Sequence, residues 1–291
     1  MYKEKDWIIT FFLLFLLLPW LLTIFLSGRE KCPISRRISL EEYVPAVTAS
    51  QISWDSPKEA IKAQSIIART NLYIRQREGK ETEVLETAAD NIKSMKMDGQ
   101  ELERFLIFQE AADQTGGLVL KLNDQLKEIP YHSLSQGKTR DGAEVLGESY
   151  GYIPSVDTPE DIDSPLYVEG CYFSVQELEN RLKEKYPGFV FGENGTVEIK
   201  NTDGTGYVTE MQIGTQVFPG EEVKEALGLP SSCFTIQQLE GEIRFLCKGI
   251  GHGMGMSQYT ARKMAEQGKD YQEILSYFFP ELQISEEKQR E

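Results

Sequence analysis

Histidine is nearly missing from this chain: His132 and His252 are the only two among 291 residues. Structural zinc sites take about four ligands, and no local cluster of histidine, cysteine and carboxylate here supplies even two, so the sequence predicts no metal. The four cysteines, Cys32, Cys171, Cys233 and Cys247, are widely spaced and form no CxxC pair, which excludes a zinc ribbon and a readable disulfide framework. Positive charge is also short. Lys and Arg number 31 against 46 Asp and Glu, a formal charge of −15, so the attraction to phosphates behind most non-specific nucleic-acid binding is lacking. A nucleotide fingerprint is absent as well: in the glycine run near the C-terminus, GxGxxG meets Met254 or Met256 at its last position. Ser257 likewise lacks the GxSxG frame of a nucleophile elbow. No cofactor is expected.

What is present is an ordinary globular composition, 40% hydrophobic and 26% charged, preceded by one long apolar run. Trp7 to Leu26 carries no charge, and as a helix at 1.5 Å per residue it spans roughly the 30 Å of a bilayer core. An uncleaved anchor is favoured over a signal peptide, whose apolar region runs about 7 to 15 residues before a small-residue cleavage site. Basic residues flank both ends, with Lys3 and Lys5 before and Arg29, Lys31, Arg36 and Arg37 after, and a simple positive-inside count places the body inside.

Beyond the anchor, Ser56-Pro57-Lys58-Glu59 reads as a capping box opening a helix from about Pro57 to Arg77. Asp98 to Gln114 predicts a second helix, with Leu102, Phe105, Leu106, Gln109 and Ala112 on its apolar face and a stop at Gly116-Gly117. Leu118–Leu122 and Leu126–Tyr131 flank Asn123-Asp124 as a hairpin, and the polar stretch Ser133–Gly151 shapes a surface groove. A further capping box at Ser174 leads a helix to about Tyr186. Two more hairpins follow, Val197–Lys200 with Tyr207–Ile213 around Asp203-Gly204, and Phe234–Gln238 with Glu242–Cys247 around Gly241. Short helices are expected at Gly220–Leu227, Ser257–Gln267 and Tyr271–Phe279. No regular βαβ alternation appears, which gives an α+β fold with a helical N-terminal part and a hairpin-rich C-terminal part.

The least ordinary stretch is Lys248–Gln258 (KGIGHGMGMSQ), with glycine at 249, 251, 253 and 255. Alternate glycines let a ligand or another backbone approach closely, so two readings stand: a tight turn, or a binding loop. Cys233 and Cys247 fall nearly opposite in the last hairpin, either as a disulfide or as two buried thiols.

The run GIGHGMGMSQYTARKMAEQGKDYQEILSYFFP resembles the signature of the stage II sporulation protein D (SpoIID) family. LEEYVPAVTASQISWDSPKEAIKAQSIIARTNLY resembles the family's opening motif, YHSLSQGKTRDGAEVLG its central groove segment and GLPSSCF its LGLPSxxF turn. The likeness covers about Ile38 to Leu282, so the chain divides into an anchor (1–28), a linker (29–37), a SpoIID-like domain (38–282) and a polar tail (283–291). The resemblance implies a lytic transglycosylase that cuts peptidoglycan glycan strands stripped of their peptides, during engulfment in sporulation. It also implies a single-pass membrane protein with an extracytoplasmic body, against the charge count, and as partners the amidase SpoIIP and the membrane protein SpoIIM.

In that chemistry one carboxylic acid protonates the glycosidic oxygen, then takes the proton of the sugar's own 6-hydroxyl as a 1,6-anhydro end forms. Counting from Tyr43, the position of the family's glutamate is Gln51, whose amide can neither donate that proton nor return as a base. Lys224 stands where arginine is usual, keeping the charge without the planar fork, and no cysteine follows His132 at the spacing of zinc-binding relatives. Glu59 is the nearest substitute acid, competing with its capping role; Glu42 and Asp55 read as solvated surface groups. Substrate contact is expected from His132, Ser133, Ser135, Lys224, Gly251, His252, Gly253, Met256, Ser257 and Gln258; for His132 the alternative is a satisfied loop carbonyl. Two functions remain: a wall transglycosylase with a relocated acid, or an anchored pseudoenzyme that holds denuded strands without cutting them.

Overall fold

The computed structural model describes residues 39–94, 99–193 and 195–287. The anchor segment Trp7–Leu26 and the linker 29–37 lie outside the described residues. Among those described, no helix is long and apolar enough to cross a membrane. Val44–Glu291 makes one compact unit; Met1–Tyr43 is a separate one, of which a 3-10 turn at Leu40–Tyr43 is described.

Four helices come first: α1 (Val44–Gln51), α2 (Lys58–Glu78), α3 (Glu81–Ser94) and α4 (Gly99–Gln114). The central one is α2, whose small residues Ala60, Ala63 and Ala68 interleave with Ile61, Ile66 and Ile67, all buried. Ile61 and Ala60 meet Phe108 and Ala111 of α4, while Ala63, Ile66 and Ile67 face the C-terminal helices. It ends at Gly79, left-handed at φ 69°, with the Lys80 N–H reaching back to the Arg75 carbonyl, a Schellman stop.

The predicted box at its start does not form. Pro57 is the N-cap and has no side-chain cap, so the helix begins one residue later than the Ser56 pattern requires and Glu59 falls out of register with Ser56. The face of α4 is corrected in part: Ala112 is buried as expected, but Leu102 and Leu106 are more than half exposed, and Phe108 and Ala111 are buried instead. Arg69 explains the choice. Wholly buried, it donates to the carbonyls of Ala112 and Leu118 and to the Thr115 hydroxyl, stapling the negative end of α4 to α2.

β1 (Leu118–Leu122) and β2 (Gln125–Leu126) form the expected hairpin, with Asn123 and Asp124 both at positive φ as a two-residue primed turn demands. The second strand stops early. Tyr131–His132 (β3) leaves to pair in parallel with Met256–Ser257 (β10), the one parallel pair among the described strands. The other edge of β1 is taken by β11 (Gln283–Glu286), within the segment read as a polar tail. The polar stretch contains a short α5 (Gly142–Leu146), capped by Asp141.

The second half follows the hairpin reading. β5 (Thr196–Thr202), β6 (Val208–Gly214) and β7 (Gln216–Pro219) form one antiparallel sheet; β4 (Val168–Ser174), β8 (Phe234–Gln238) and β9 (Glu242–Lys248) form another in the order β4-β9-β8. Between them pack α6 (Val175–Lys185), which carries the Ser174/Glu177 capping box as predicted, and α7 (Gly220–Leu227). Phe173, Leu178, Leu182, Met211, Val223 and Phe245 form their shared core. Cys171, Cys233 and Cys247 are free thiols, which settles the hairpin cysteines as unbridged. The α8 (Gln258–Glu266) and α9 (Tyr271–Phe278) helices return the chain to α2. The architecture is α+β, helices first and sheets after.

Candidate functional site

The glycine loop is a tight structure and a cavity wall at once. Gly249, Gly251, Gly253 and Gly255 all have positive φ, and a side chain at any of them has no room. A Cβ on Gly253 would collide with the Tyr207 ring and hydroxyl, and one on Gly255 with the Pro130 carbonyl. The backbone is laced on both sides: Ile250 exchanges two hydrogen bonds with Leu134, Gly251 N–H donates to Pro230, and Arg140 N–H donates to Gly253. Beneath it Arg140 is buried, its Nε 2.6 Å from Asp203, its guanidinium 2.9 Å from Glu221 and 3.1 Å from the His252 carbonyl, and its plane over the Tyr207 ring. Glu221 also accepts from Ser232 and Lys224. Burial pushes its pKa up, but Ser232, Lys224 and Arg140 outweigh this and hold it below the usual carboxylate range.

This scaffold aims two histidines. His132 Nδ1 lies 2.9 Å from the Met254 carbonyl; a carbonyl only accepts, so Nδ1 carries the proton. Its Nε2 is then a buried lone pair with no partner among the described residues. Burial, aided by the neighbouring His252, pushes its pKa down to about 3. His252, its ring 5.9 Å away, accepts the Met254 N–H at Nδ1 and so carries its proton on Nε2. Burial lowers its pKa too. Burial thus favours the neutral form of both rings, and the His132 Nδ1–H satisfies the Met254 loop carbonyl.

His252 lines a cavity of about 560 Å³ together with Gln51, Asn71, Tyr131, Tyr150 and Glu128. Gln51, at the end of α1, is joined to Gln64 on α2 and Gln258 on α8. Gln64 Nε2 donates to Gln51 Oε1 at 2.9 Å, while Gln258 Nε2 donates to the Gln51 main-chain carbonyl at 2.8 Å and to Gln64 Oε1 at 3.1 Å. The opening motif, which carries Gln51 and Gln64, and the C-terminal motif, which carries Gln258, thus meet at one wall. Glu128, whose carboxylate is 2.7 Å from Arg75, went unrecognised in the sequence because its hairpin neighbours carry no motif.

Other predicted residues are placed elsewhere. Glu59 is bound to Lys62 and to the Tyr271 N–H. Ser135 and Ser257 are wholly buried around Asp161: the Ser135 N–H, the Ser257 hydroxyl and the Thr260 hydroxyl all donate to its carboxylate. Burial raises the Asp161 pKa against those donors. Met256 is also buried. Ser133 is exposed and gives its carbonyl to Tyr259, and Lys224 sits on α7 paired with Glu221. Asp55 is exposed and paired with Arg262. Among the described residues no group of three or more His, Cys, Asp or Glu side chains is placed to hold a metal ion.

An opening helical motif packed against a C-terminal glycine loop defines a class already suggested by the residues. The SpoIID family model, described as stage II sporulation protein, matches residues 29–121. Stage II sporulation protein D of Bacillus amyloliquefaciens is 31% identical over 270 residues, covering 86% of this chain and 75% of that protein. Its namesake in Bacillus subtilis strain 168 is 30% identical over 261 residues, with the same two shares, 86% and 75%. The amidase enhancer of Bacillus subtilis strain 168 is 25% identical over 275 residues, covering 76% of this chain and 37% of that protein. The chain belongs to the SpoIID family.

Proposed function

We propose that this protein holds denuded peptidoglycan glycan strands in the cavity shared by Gln51 and His252, without cutting them, as part of wall remodelling in sporulation. The observation that carries this reading is the amide of Gln51 on the cavity wall, at the position expected for the family's acid. A transglycosylase acid must give a proton to the glycosidic oxygen and take one back. An amide does neither, yet its N–H₂ group can donate a hydrogen bond to a sugar oxygen. Glu59, the substitute considered from sequence, is spent on Lys62 and Tyr271. The segment Trp7–Leu26 serves in this reading as the anchor, with the body on the wall side of the membrane, where SpoIIP-type amidase products and SpoIIM are the natural partners.

The test is digestion and binding of denuded strands by the full chain and by Gln51→Glu, with 1,6-anhydro ends read by mass spectrometry. The parent is expected to bind strands and release no products, and Gln51→Glu to release them. Products from the parent overturn the holding reading. One observation favours a second reading in that event: Glu128 is the carboxylate lining the same cavity, and loss of those products in Glu128→Gln identifies it as a relocated acid.

A further inference from the structure

Gln51 stands at the end of a chain of amides whose orientations are not free. The Gln258 side-chain atom 2.8 Å from the Gln51 main-chain carbonyl must be nitrogen, because that carbonyl only accepts. The same nitrogen faces Gln64 at 3.1 Å, so the Gln64 atom there must be oxygen. Gln64 therefore turns its nitrogen to Gln51, 2.9 Å away, and the Gln51 atom it meets must be oxygen. What Gln51 has left is its N–H₂ group, which bonds nothing among the described residues. Turning Gln64 over would set nitrogen against nitrogen at Gln258 and oxygen against oxygen at Gln51, at a residue that is wholly buried.

We propose that Gln64 and Gln258 are positioning residues that fix the hydrogen-bond polarity of position 51. The cavity then offers its ligand an N–H donor there, with the Gln51 oxygen turned to Gln64, which suits an acceptor oxygen on the sugar, a glycosidic or ring ether oxygen included. A free hydroxyl is not required at that point. This deepens the strand-holding reading and rests on it for the nature of the ligand, while the orientation of the amides stands apart from it.

The experiment is a double-mutant cycle on equilibrium binding of denuded glycan strands to the full chain: wild type, Gln51→Met, Gln64→Met and the pair. Each single change is expected to weaken binding at least fivefold, and the pair no more than Gln51→Met alone, because Gln64 acts through Gln51. Losses that multiply would overturn the proposal, since they mean that Gln64 supports the site independently. Should Gln64→Met not fold, Gln258→Met, at a half-buried position, replaces it with the same expectation. In parallel, the Gln51 side-chain amide resonance of the ligand-free chain, assigned by its disappearance in Gln51→Met, is expected to move in the relay variant. Wild-type chain that binds no strands, with the resonance still moved, refutes the glycan reading alone. Strand binding with an unmoved resonance refutes the relay alone.

Discussion

Glu59 caps a helix other than its own. Its carboxylate accepts the backbone N–H of Tyr271 at 3.1 Å, 212 positions along the chain, at the first residue of α9, and pairs with Lys62 2.6 Å away. A carboxylate at a helix N-terminus satisfies an otherwise orphaned donor and meets the positive end of the helix dipole. The residue nearest to a substitute catalytic acid in the sequence is thus a tie between the first long helix and the last.

Glu59→Ala should accordingly cost stability and spare the site. The expected loss is about 1 kcal/mol, the usual worth of a capping interaction. Urea denaturation should show a lower midpoint with an unchanged slope, while strand binding stays within twofold of the parent. A tenfold loss of binding at unchanged stability would return Glu59 to the functional site.

Gly253→Ala should do the reverse of a neutral change. At φ +77° an L side chain is strained, by about 1 kcal/mol, and its Cβ collides with Tyr207. We expect at least about 2 kcal/mol of destabilisation in total and loss of strand binding, since His252 is the preceding residue. Tyr207→Leu in the same chain should recover the contact part and leave the backbone part. Full recovery would show that the backbone conformation is unstrained.

Arg140→Met tests the support beneath the loop. Arg140 and Asp203 are both nearly excluded from solvent, at 4% and 3% side-chain exposure, and removing one member of a buried pair leaves the other charge uncompensated, at about 3–5 kcal/mol. Arg140→Lys should recover only part of this, because one ammonium cannot reach Asp203, Glu221 and the His252 carbonyl with the geometry of a guanidinium. Chemical denaturation of the three chains orders them; equal midpoints would contradict the pairing.

Acid should destabilise the fold through His132. Its folded pKa, about 3, lies below the ordinary value of 6.5, so between those limits the unfolded chain binds the extra proton. Stability is then fully present above about pH 6.5 and falls as pH drops toward 3, by at most about 1.4 kcal/mol per pH unit from this group. His252, also lowered by burial, acts in the same direction. Denaturation of His132→Gln between pH 4 and pH 7 should show a shallower slope than the parent. An identical slope would mean that His132 is protonated in the folded chain.

Elements written in local chemistry were legible before the structure: the Asn123-Asp124 turn, the Ser174 capping box and the hairpins around Asp203 and Gly241 each depend on residues a few positions apart. The same rule fails at Ser56, where proline at the cap shifts the helix start by one residue and uncouples Glu59. The face of α4 was misread because Leu102 and Leu106 repeat at helical spacing, yet the buried Arg69 turns Phe108 and Ala111 inward. For the site, the glycine loop and Gln51 were readable as motifs. The buried hub at Asp161, which takes in Ser135 and Ser257 from 26 and 96 positions away, and the contact of Gln258 with Gln51 and Gln64, 207 and 194 positions away, were not, since no local pattern brings such segments together.

The β11 strand gives the order of synthesis a meaning. Its pairing with β1, and the seating of Ile274 and Phe278 against α2, join the motif-bearing opening of the chain to residues among its last eighteen. A growing chain that has emitted every residue through β10 still lacks the cover for the inner face of α2 and one edge of β1. Contacts of such long sequence separation form late and slowly, and apolar surface left open meanwhile is prone to aggregate. Removal of everything after Asp270, α9 and β11 together, should therefore be felt first in α2, the helix that carries Gln64.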